Sequence, residues 1–387
     1  MKADDQIVNQ DAATRPHWNR FNLSEWAGAF GDLGVFIPFV VGYITVVHMD
    51  PLGVLFGFGI MMIACGLYYR TPVPVEPMKA IGAAAITHTS AVTAGAVWGA
   101  GLFTGLFWLI AGMTGLLDFV ARITSKPLVK GIVLGLGFSF MLQGGKMMAG
   151  DFLVAAVVLL VTFLMLSRKL PAMFFLLLIG LVVALIRDPG LAAQVSQLHF
   201  EFRLPSFSLG NMTWQELLKG TVILAIPQIP LTLGNAVIAV TSENNRRFPD
   251  RPVTEKKMAI SQGLINLLAP LTGGVPMCHG AGGLAAHARF GARTGGALVI
   301  MGAILLVLAL GFSSSVLLLF QMIPFSILGI MLFVAGLELA VSARGITEKD
   351  DLYIMLVTAG FGLVNMGAGF LAGLLMQWLV RRRLISL

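Results

Sequence analysis

Apolar residues run through this chain in long blocks separated by short polar breaks. That is the pattern of successive membrane helices, each of which needs about 20 apolar residues. The blocks predict spans at 26–48, 52–69, 92–117, 128–142, 152–166, 172–186, 221–241, 258–271, 298–311, 316–339, 352–364 and 367–380. Two stretches break the pattern: TPVPVEPMKAIGAAAIT at 71–87 and GGVPMCHGAGGLAAHARFGARTGG at 273–296. Pro72, Pro74 and Pro77 in the first, and Gly274 and Pro276 in the second, prevent a continuous helix. Each predicts an extended lead-in followed by a half-helix that begins near the bilayer midplane. Non-helical backbone survives at that depth only where it lines a cavity or is buried in protein. Both stretches are therefore binding-site candidates.

Counting the broken stretches, the chain divides into seven plus seven segments, and the broken one is third in each half. VPVEPMKAIG from Val73 and VPMCHGAGGL from Val275 share Val-Pro, polar residues and then a small-residue helix start. Pro/Gly-interrupted segments at matching places in two halves point to a transporter binding site. An odd number of segments per half gives the halves opposite topology. The expected fold class is an all-α polytopic membrane protein with an inverted repeat. Its expected parts are a cytoplasmic tail at 1–22, a first repeat at 23–187, a connection at 188–220 with an amphipathic lead-in at 213–219, and a second repeat at 221–387.

Composition narrows the class further. The 387 residues are 57% hydrophobic and 12% charged with a mean hydropathy of +0.86, which excludes a soluble domain. Two cysteines, Cys65 and Cys278, exclude a disulfide framework and a Cys-rich metal site, and no metal or cofactor is expected. The polar amino-terminal segment lacks the apolar core of a cleaved signal peptide. The net charge of +7 is read as cytoplasmic loops rather than nucleic-acid binding. With fourteen crossings and the amino terminus inside, 21 of the 26 Lys and Arg residues fall inside. Lys146, Arg187, Arg203 and Lys219 fall outside, and Lys79 lies within the membrane. The positive-inside rule supports that topology.

Several residues carry candidate chemistry beside a plainer reading. Glu76 and Lys79 are three apart and meet if they share a helical face. They are either a neutralised structural pair or a proton holder beside a cation that adds positive potential. His279 is an ionisable group inside the membrane, where such groups are costly and usually functional; the plain reading has it bonding nearby backbone. Cys278 packs as a small apolar residue or lines the site. Asp32 caps or pairs within the first span. Gln228 and Asn235 lie on a span that Pro227 and Pro230 should kink, and donate hydrogen bonds toward the centre. Glycines such as Gly95/Gly99 and Gly131/Gly135 read as close helix packing. No nucleophile–base pair has sound geometry, so an enzyme is not expected.

At this point the motifs GDLGVFIPFVVGY (31–43), PVPVEPMKAI (72–81), PQIPLTLGNAV (227–237) and PMCHGAGGLAAHARFGART (276–294) matter together. They resemble the molybdate transporter family, a branch of the sulfate-permease-like anion transporters, over nearly the whole chain. The resemblance implies the seven-plus-seven fold shared with uracil and xanthine permeases. There a core domain of segments 1–4 and 8–11 moves against a gate domain of segments 5–7 and 12–14. Sulfate permeases usually carry a carboxy-terminal regulatory domain; none is expected here, which favours the molybdate branch.

Both half-helices are expected to aim their positive N-terminal ends at one cavity, which suits an oxyanion. The residues expected to bind substrate are Asp32, Phe36, Glu76, Met78, Lys79, Gln228, Asn235, Met277, Cys278, His279, Gly280, Ala281 and Gly282. The expected function is secondary-active transport of molybdate and tungstate by alternating access, coupled to protons through Glu76 and His279. Sulfate or another inorganic anion is the alternative. A nucleobase permease should place carboxylates where this chain has Gln228, Asn235 and His279. The expected partners are the oxyanion, the lipid bilayer, coupling protons and a second copy in a homodimer. The expected location is the inner membrane of a prokaryote, with both termini cytoplasmic. Cysteine-accessibility labelling is expected to place the basic loop at 246–257 on the cytoplasmic face; labelling from outside would sink this topology.

Overall fold

The protein is described from a computed structural model, covering residues 18–87, 92–117, 125–167, 172–191, 199–316, 318 and 323–385. Outside the described residues lie 1–17 of the expected tail, the loop cations Arg122, Arg168 and Lys169, and 317 and 319–322 near the start of the span expected from 316.

The chain is mostly helical. Its first half holds α1 (Leu23–Ala29), α2 (Leu33–Thr45), α3 (Pro51–Tyr69), β1 (Glu76–Pro77), α4 (Lys79–Thr87), α5 (Ala94–Met113), α6 (Lys126–Ala149), α7 (Phe152–Ser167) and α8 (Ala172–Arg187). The second holds α9 (Trp214–Arg247), α10 (Glu255–Leu268), β2 (Met277–Cys278), α11 (Ala281–Arg289), α12 (Gly296–Phe312), α13 (Phe325–Ser342), α14 (Lys349–Val364) and α15 (Met366–Arg381). Among the described residues six helices are long and apolar enough to cross a membrane, or seven with the bent pair α1–α2 counted as one. Helices α7, α8, α14 and α15 have 16 residues each, short of the length that criterion demands.

Three local departures from the sequence reading have physical causes. The first span is not one helix: α1 and α2 meet at a 46° bend. Gly31 sits there because a Cβ would lie 2.9 Å from the backbone of Ala286 and His287. Glu25 fixes the short α1, since its carboxylate accepts the backbone N–H groups of Arg293, Thr294 and Ala297 at 2.9, 2.9 and 3.2 Å. The α9 run contains Pro227 and Pro230, yet it continues through both. Each proline lacks an N–H, and wide π turns at Gly220–Ala225 and Thr232–Ala239 on either side absorb the missing bonds. The span predicted at 128–142 extends to Ala149 in α6.

Both broken stretches form as expected, an extended segment followed by a short helix. What the sequence did not announce is that the extended segments pair. β1 and β2 run antiparallel, with Glu76 opposite Cys278 and Pro77 opposite Met277.

Around this crossing the long helices pack in couples: α3 on α12, α5 on α10, α6 on α13 and α14, and α14 on α15. Gly59 faces Gly302 between α3 and α12, and Gly137 faces Gly336 between α6 and α13. Backbones approach that closely only where Cβ atoms are missing. Gly131 and Gly135, singled out for close packing, lie against Thr358 and Ala359 of α14. A Cβ on Gly302 would stand 2.6 Å from the Gly59 carbonyl oxygen. Gly302→Ala is therefore expected to lower the thermal midpoint in detergent, by an overpacking cost of about 1–3 kcal/mol. Gly360→Ala, where a Cβ meets nothing within 4 Å, serves as the control and should not.

Candidate functional site

The crossing of β1 and β2 creates a problem that the site is built to solve. Backbone N–H and C=O groups leave regular structure in an apolar interior, and each unpaired group is costly. Met78 N–H is held by the Pro276 carbonyl at 2.9 Å. On the far side of β2, α10 supplies Gln262 and Asn266, one helical turn apart. Asn266 grips Met277 from both directions, accepting its N–H at 2.8 Å and donating to its carbonyl at 2.7 Å. Gln262 donates to the same carbonyl and accepts from His279 N–H at 3.2 Å. All of these groups are buried. The sequence reading missed both amides, although QGLINLL places two of them four apart in an otherwise apolar run.

Glu76 and Lys79 do meet, but not on one helical face. Glu76 lies in β1 and Lys79 is the first residue of α4, and the strand-to-helix junction brings ammonium and carboxylate into a buried ion pair. Glu76 also reaches across to α11, where its Oε1 accepts Gly283 N–H at 3.1 Å. The protein's own carboxylate thus occupies part of a helix N-terminus, the position that favours negative charge. This explains Gly280, since a Cβ there would come 2.5 Å from the Glu76 carboxyl carbon. Asp32, at the start of α2, makes no capping bond to its own helix. Its carboxylate stands 3.0 Å from where a Gly283 Cβ would be, beside the Glu76 carboxylate that approaches the same point.

The other half-helix is capped too. Gln228 Oε1 accepts Ala80 N–H at 2.8 Å, and its amide donates to Thr232 Oγ1 at 3.0 Å. Gln228 therefore joins α9 to the first turn of α4. Asn235, on the second wide turn of α9, is half-buried and has no hydrogen-bond partner among the described residues. Ala281 and Gly282 open α11; Gly282 is exposed, and among the described residues their N–H groups have no protein acceptor.

Five further expected residues are buried in protein contacts. His279 is fully buried with both ring nitrogens engaged, Nδ1 with the Pro74 carbonyl at 2.8 Å and Nε2 with Ser261 Oγ at 2.9 Å. Its plain reading, a side chain bonding nearby backbone, describes these contacts. Phe36 stacks edge-on against Phe58 at 4.8 Å. Met78 and Met277 are fully buried. Cys278 is buried as a free thiol, with Sγ 3.8 Å from the Pro77 carbonyl. A further buried group escaped the sequence reading: the Tyr43 hydroxyl has no partner among the described residues and lies 3.3 Å from where a Gly82 Cβ would be. Among the described residues no cluster of His, Cys, Asp and Glu forms a metal site.

A mostly helical membrane protein whose extended segments cross between two half-helices has the fold of known anion transporters. The transmembrane domain of a cyanobacterium bicarbonate transporter, BicA, superposes with a TM-score of 0.61 at 16% identity, over 91% of this chain and 97% of that one. The murine solute carrier 26 family member A9 anion transporter in its inward-facing state gives 0.67 at 11% identity, over 98% and 71%. The chain itself belongs to the family described as "Molybdate transporter of MFS superfamily", which matches residues 24–140 and 220–339. Molybdate transporter 2 of Arabidopsis thaliana is 31% identical over 415 residues, covering 94% of this chain and 88% of that protein. Molybdate transporter 1 of Chlamydomonas reinhardtii is 28% identical over 491 residues, covering 95% and 93%. These relatives are transporters rather than enzymes. The superfamily in the family's description is built from two parallel six-span halves; the fold matched by the solved structures is the bicarbonate and solute-carrier one.

Removing one member of the buried Glu76–Lys79 pair leaves the other charge uncompensated. Lys79→Gln is expected to cost about 3–5 kcal/mol of stability, read as a lowered thermal midpoint. The double variant Glu76→Gln/Lys79→Gln should recover most of it. A Lys79→Gln protein as stable as the wild type would show that the pair contributes little to the fold.

Proposed function

We propose that this protein carries molybdate, and tungstate with it, across a membrane by secondary-active alternating access. The observation that carries the reading is the first turn of α11 in a chain of the molybdate transporter family. Ala281 and Gly282 present N–H groups without protein acceptors at the positive end of a helix, and Gly282 is open to solvent. Such a turn recognises charge and oxygen geometry. Asn235 offers an amide without a partner from α9. The substrate-binding set is centred on these groups with Lys79 behind them, while His279, Phe36, Met78 and Met277 hold the frame.

The seven-plus-seven inverted repeat remains part of this proposal, with both termini cytoplasmic. Helix couples support it. Moving seven segments along the chain turns the α3–α12 couple into the α10–α5 couple, and leaves β1–β2 and α6–α13 paired with themselves. In this reading α6, α7, α8, α13, α14 and α15 form the gate, and the other elements form the core that slides against it.

Entry of a dianion against a negative-inside potential costs about 2.3 kcal/mol per charge per 100 mV, so a driving ion is required. Two carboxyls, Asp32 and Glu76, share the neighbourhood of one ammonium, Lys79. With both ionised the cluster is net negative and repels the substrate. A proton on the Asp32–Glu76 pair removes that repulsion, which assigns the coupling proton to this pair rather than to the fully engaged His279.

Sulfate is smaller than molybdate and leaves some donors out of reach; an unpaired buried donor costs about 1–3 kcal/mol. That corresponds to roughly ten- to a hundred-fold discrimination. In competition against molybdate uptake by reconstituted vesicles, excess tungstate should block, sulfate should block weakly and uracil should have no effect. Uptake indifferent to tungstate, or blocked by uracil, would falsify the oxyanion assignment.

A further inference from the structure

A cavity of about 400 Å³ lies apart from the α11 turn. It is bounded by α4, α5 and the first half of α9 on one side, and by α6 and the α14–α15 junction on the other. Ala80, Ala83 and Ala84 give α4 a smooth wall there. The opposite wall is polar. Ser139, Gln143 and Lys146 line it from α6, spaced four and three residues apart, and so on one helical face.

Ser139 and Gln143 are half-buried near the middle of a membrane helix, and neither has a hydrogen-bond partner among the described residues. Elsewhere the hydroxyls of Thr104, Thr162 and Thr358 return to the carbonyl one turn back, which is how a spanning helix normally satisfies them. A polar side chain left without such a bond in a spanning helix belongs to a hydrated path.

The charge of the cavity is one-sided. Lys146 and Lys219 line it, and among the described residues no carboxylate does. The nearest acid in sequence to Lys219 is Glu216, whose carboxylate is bonded to Thr213 at 2.9 Å and Thr93 at 2.7 Å. Hydrogen-bond donors and two cations on a water-accessible wall fit a tetrahedral oxyanion. They offer nothing to a metal cation.

We propose that this cavity is an outer docking station for the transported oxyanion. Lys146 and Lys219 draw the anion in, and Gln143 and Ser139 donate hydrogen bonds to it along α6. The proposal rests on the transport reading above and adds to it a second anion site, formed partly by the gate.

Two measurements on the full-length protein in proteoliposomes test it. In molybdate uptake, the Lys146→Gln/Lys219→Gln variant should raise KM roughly tenfold at low ionic strength while the maximal rate stays within about twofold; added salt should shrink the difference. Gln143→Glu, which puts a carboxylate into the path, should raise KM further than Gln143→Leu. Lys146→Arg should behave like the wild type, separating charge from helix-end packing. In labelling, Gln143→Cys should react with a membrane-impermeant cationic thiol reagent, from the face opposite the one that labels Lys257→Cys, and molybdate should protect it. The wild type gives the background, since Cys65 and Cys278 are buried. Wild-type vesicles that take up no molybdate would overturn the transport reading itself. Wild-type uptake with an unlabelled or unprotected Gln143→Cys, or with unchanged KM in the lysine variant, would overturn the docking station alone.

Discussion

Everything at the centre of this protein depends on placing irregular backbone where no water can satisfy it. Two extended segments cross in the interior, and the peptide groups they expose must find partners within the protein. The solution has three parts: antiparallel pairing of β1 with β2, the Gln262–Asn266 clamp from α10, and side-chain caps from Gln228 and Glu76 on the two short helices. His279 belongs to the same framework, bridging Pro74 and Ser261. Once those partners are assigned, few polar groups near the crossing remain free. Among the described residues, those that do include Ala281, Gly282 and Asn235, the groups proposed for the substrate.

That constraint also explains the balance of charge. A helix N-terminus attracts anions, yet the protein places its own Glu76 against α11 and answers it with Lys79. A buried ion pair of this kind contributes little net stability, because desolvation offsets the attraction, while loss of one partner is severe. Its proposed value is functional: with Asp32 beside it, the cluster goes from net negative to neutral on gaining a proton. In that proposal an anion and a proton favour each other's binding through simple electrostatics.

Packing keeps the two sides of the molecule distinct. Glycine-lined couples such as α3 on α12 and α6 on α13 hold each group of helices together at close range. Between the groups the contacts are sparser, and the alanine face of α4 looks across a cavity at the polar face of α6. Tight packing within groups and a cavity between them is the arrangement that the proposed sliding of one group on the other requires. Away from the membrane centre the electrostatics are ordinary. The Arg187 guanidinium beside Asp151, 2.6 Å away, holds that carboxyl below its usual range and ties α6–α7 to the end of α8.

Much of this was legible in the sequence, because hydropathy blocks and proline-interrupted stretches report on local requirements. A chain cannot cross lipid without long apolar runs, and the dense breakers at Pro72, Pro74 and Pro77 and at Gly273, Gly274 and Pro276 leave no regular helix, whereas the isolated Pro38 sits inside α2. The extended-then-helical form of both broken stretches and the glycine contacts at Gly131 and Gly135 followed from such rules. Partner choice did not. Sequence spacing suggested that Glu76 and Lys79 meet on a helix, and they meet across a strand end instead. It gave His279 a candidate role in proton transfer, whereas both its nitrogens are committed to groups 18 and 205 residues away. It passed over Gln262 and Asn266, whose purpose exists only once β2 lies beside α10, and over Ser139 and Gln143, which matter only because α4 leaves a cavity opposite them. Local backbone chemistry is written in the order of residues. Which buried polar group answers which is decided by distances that only the folded chain defines.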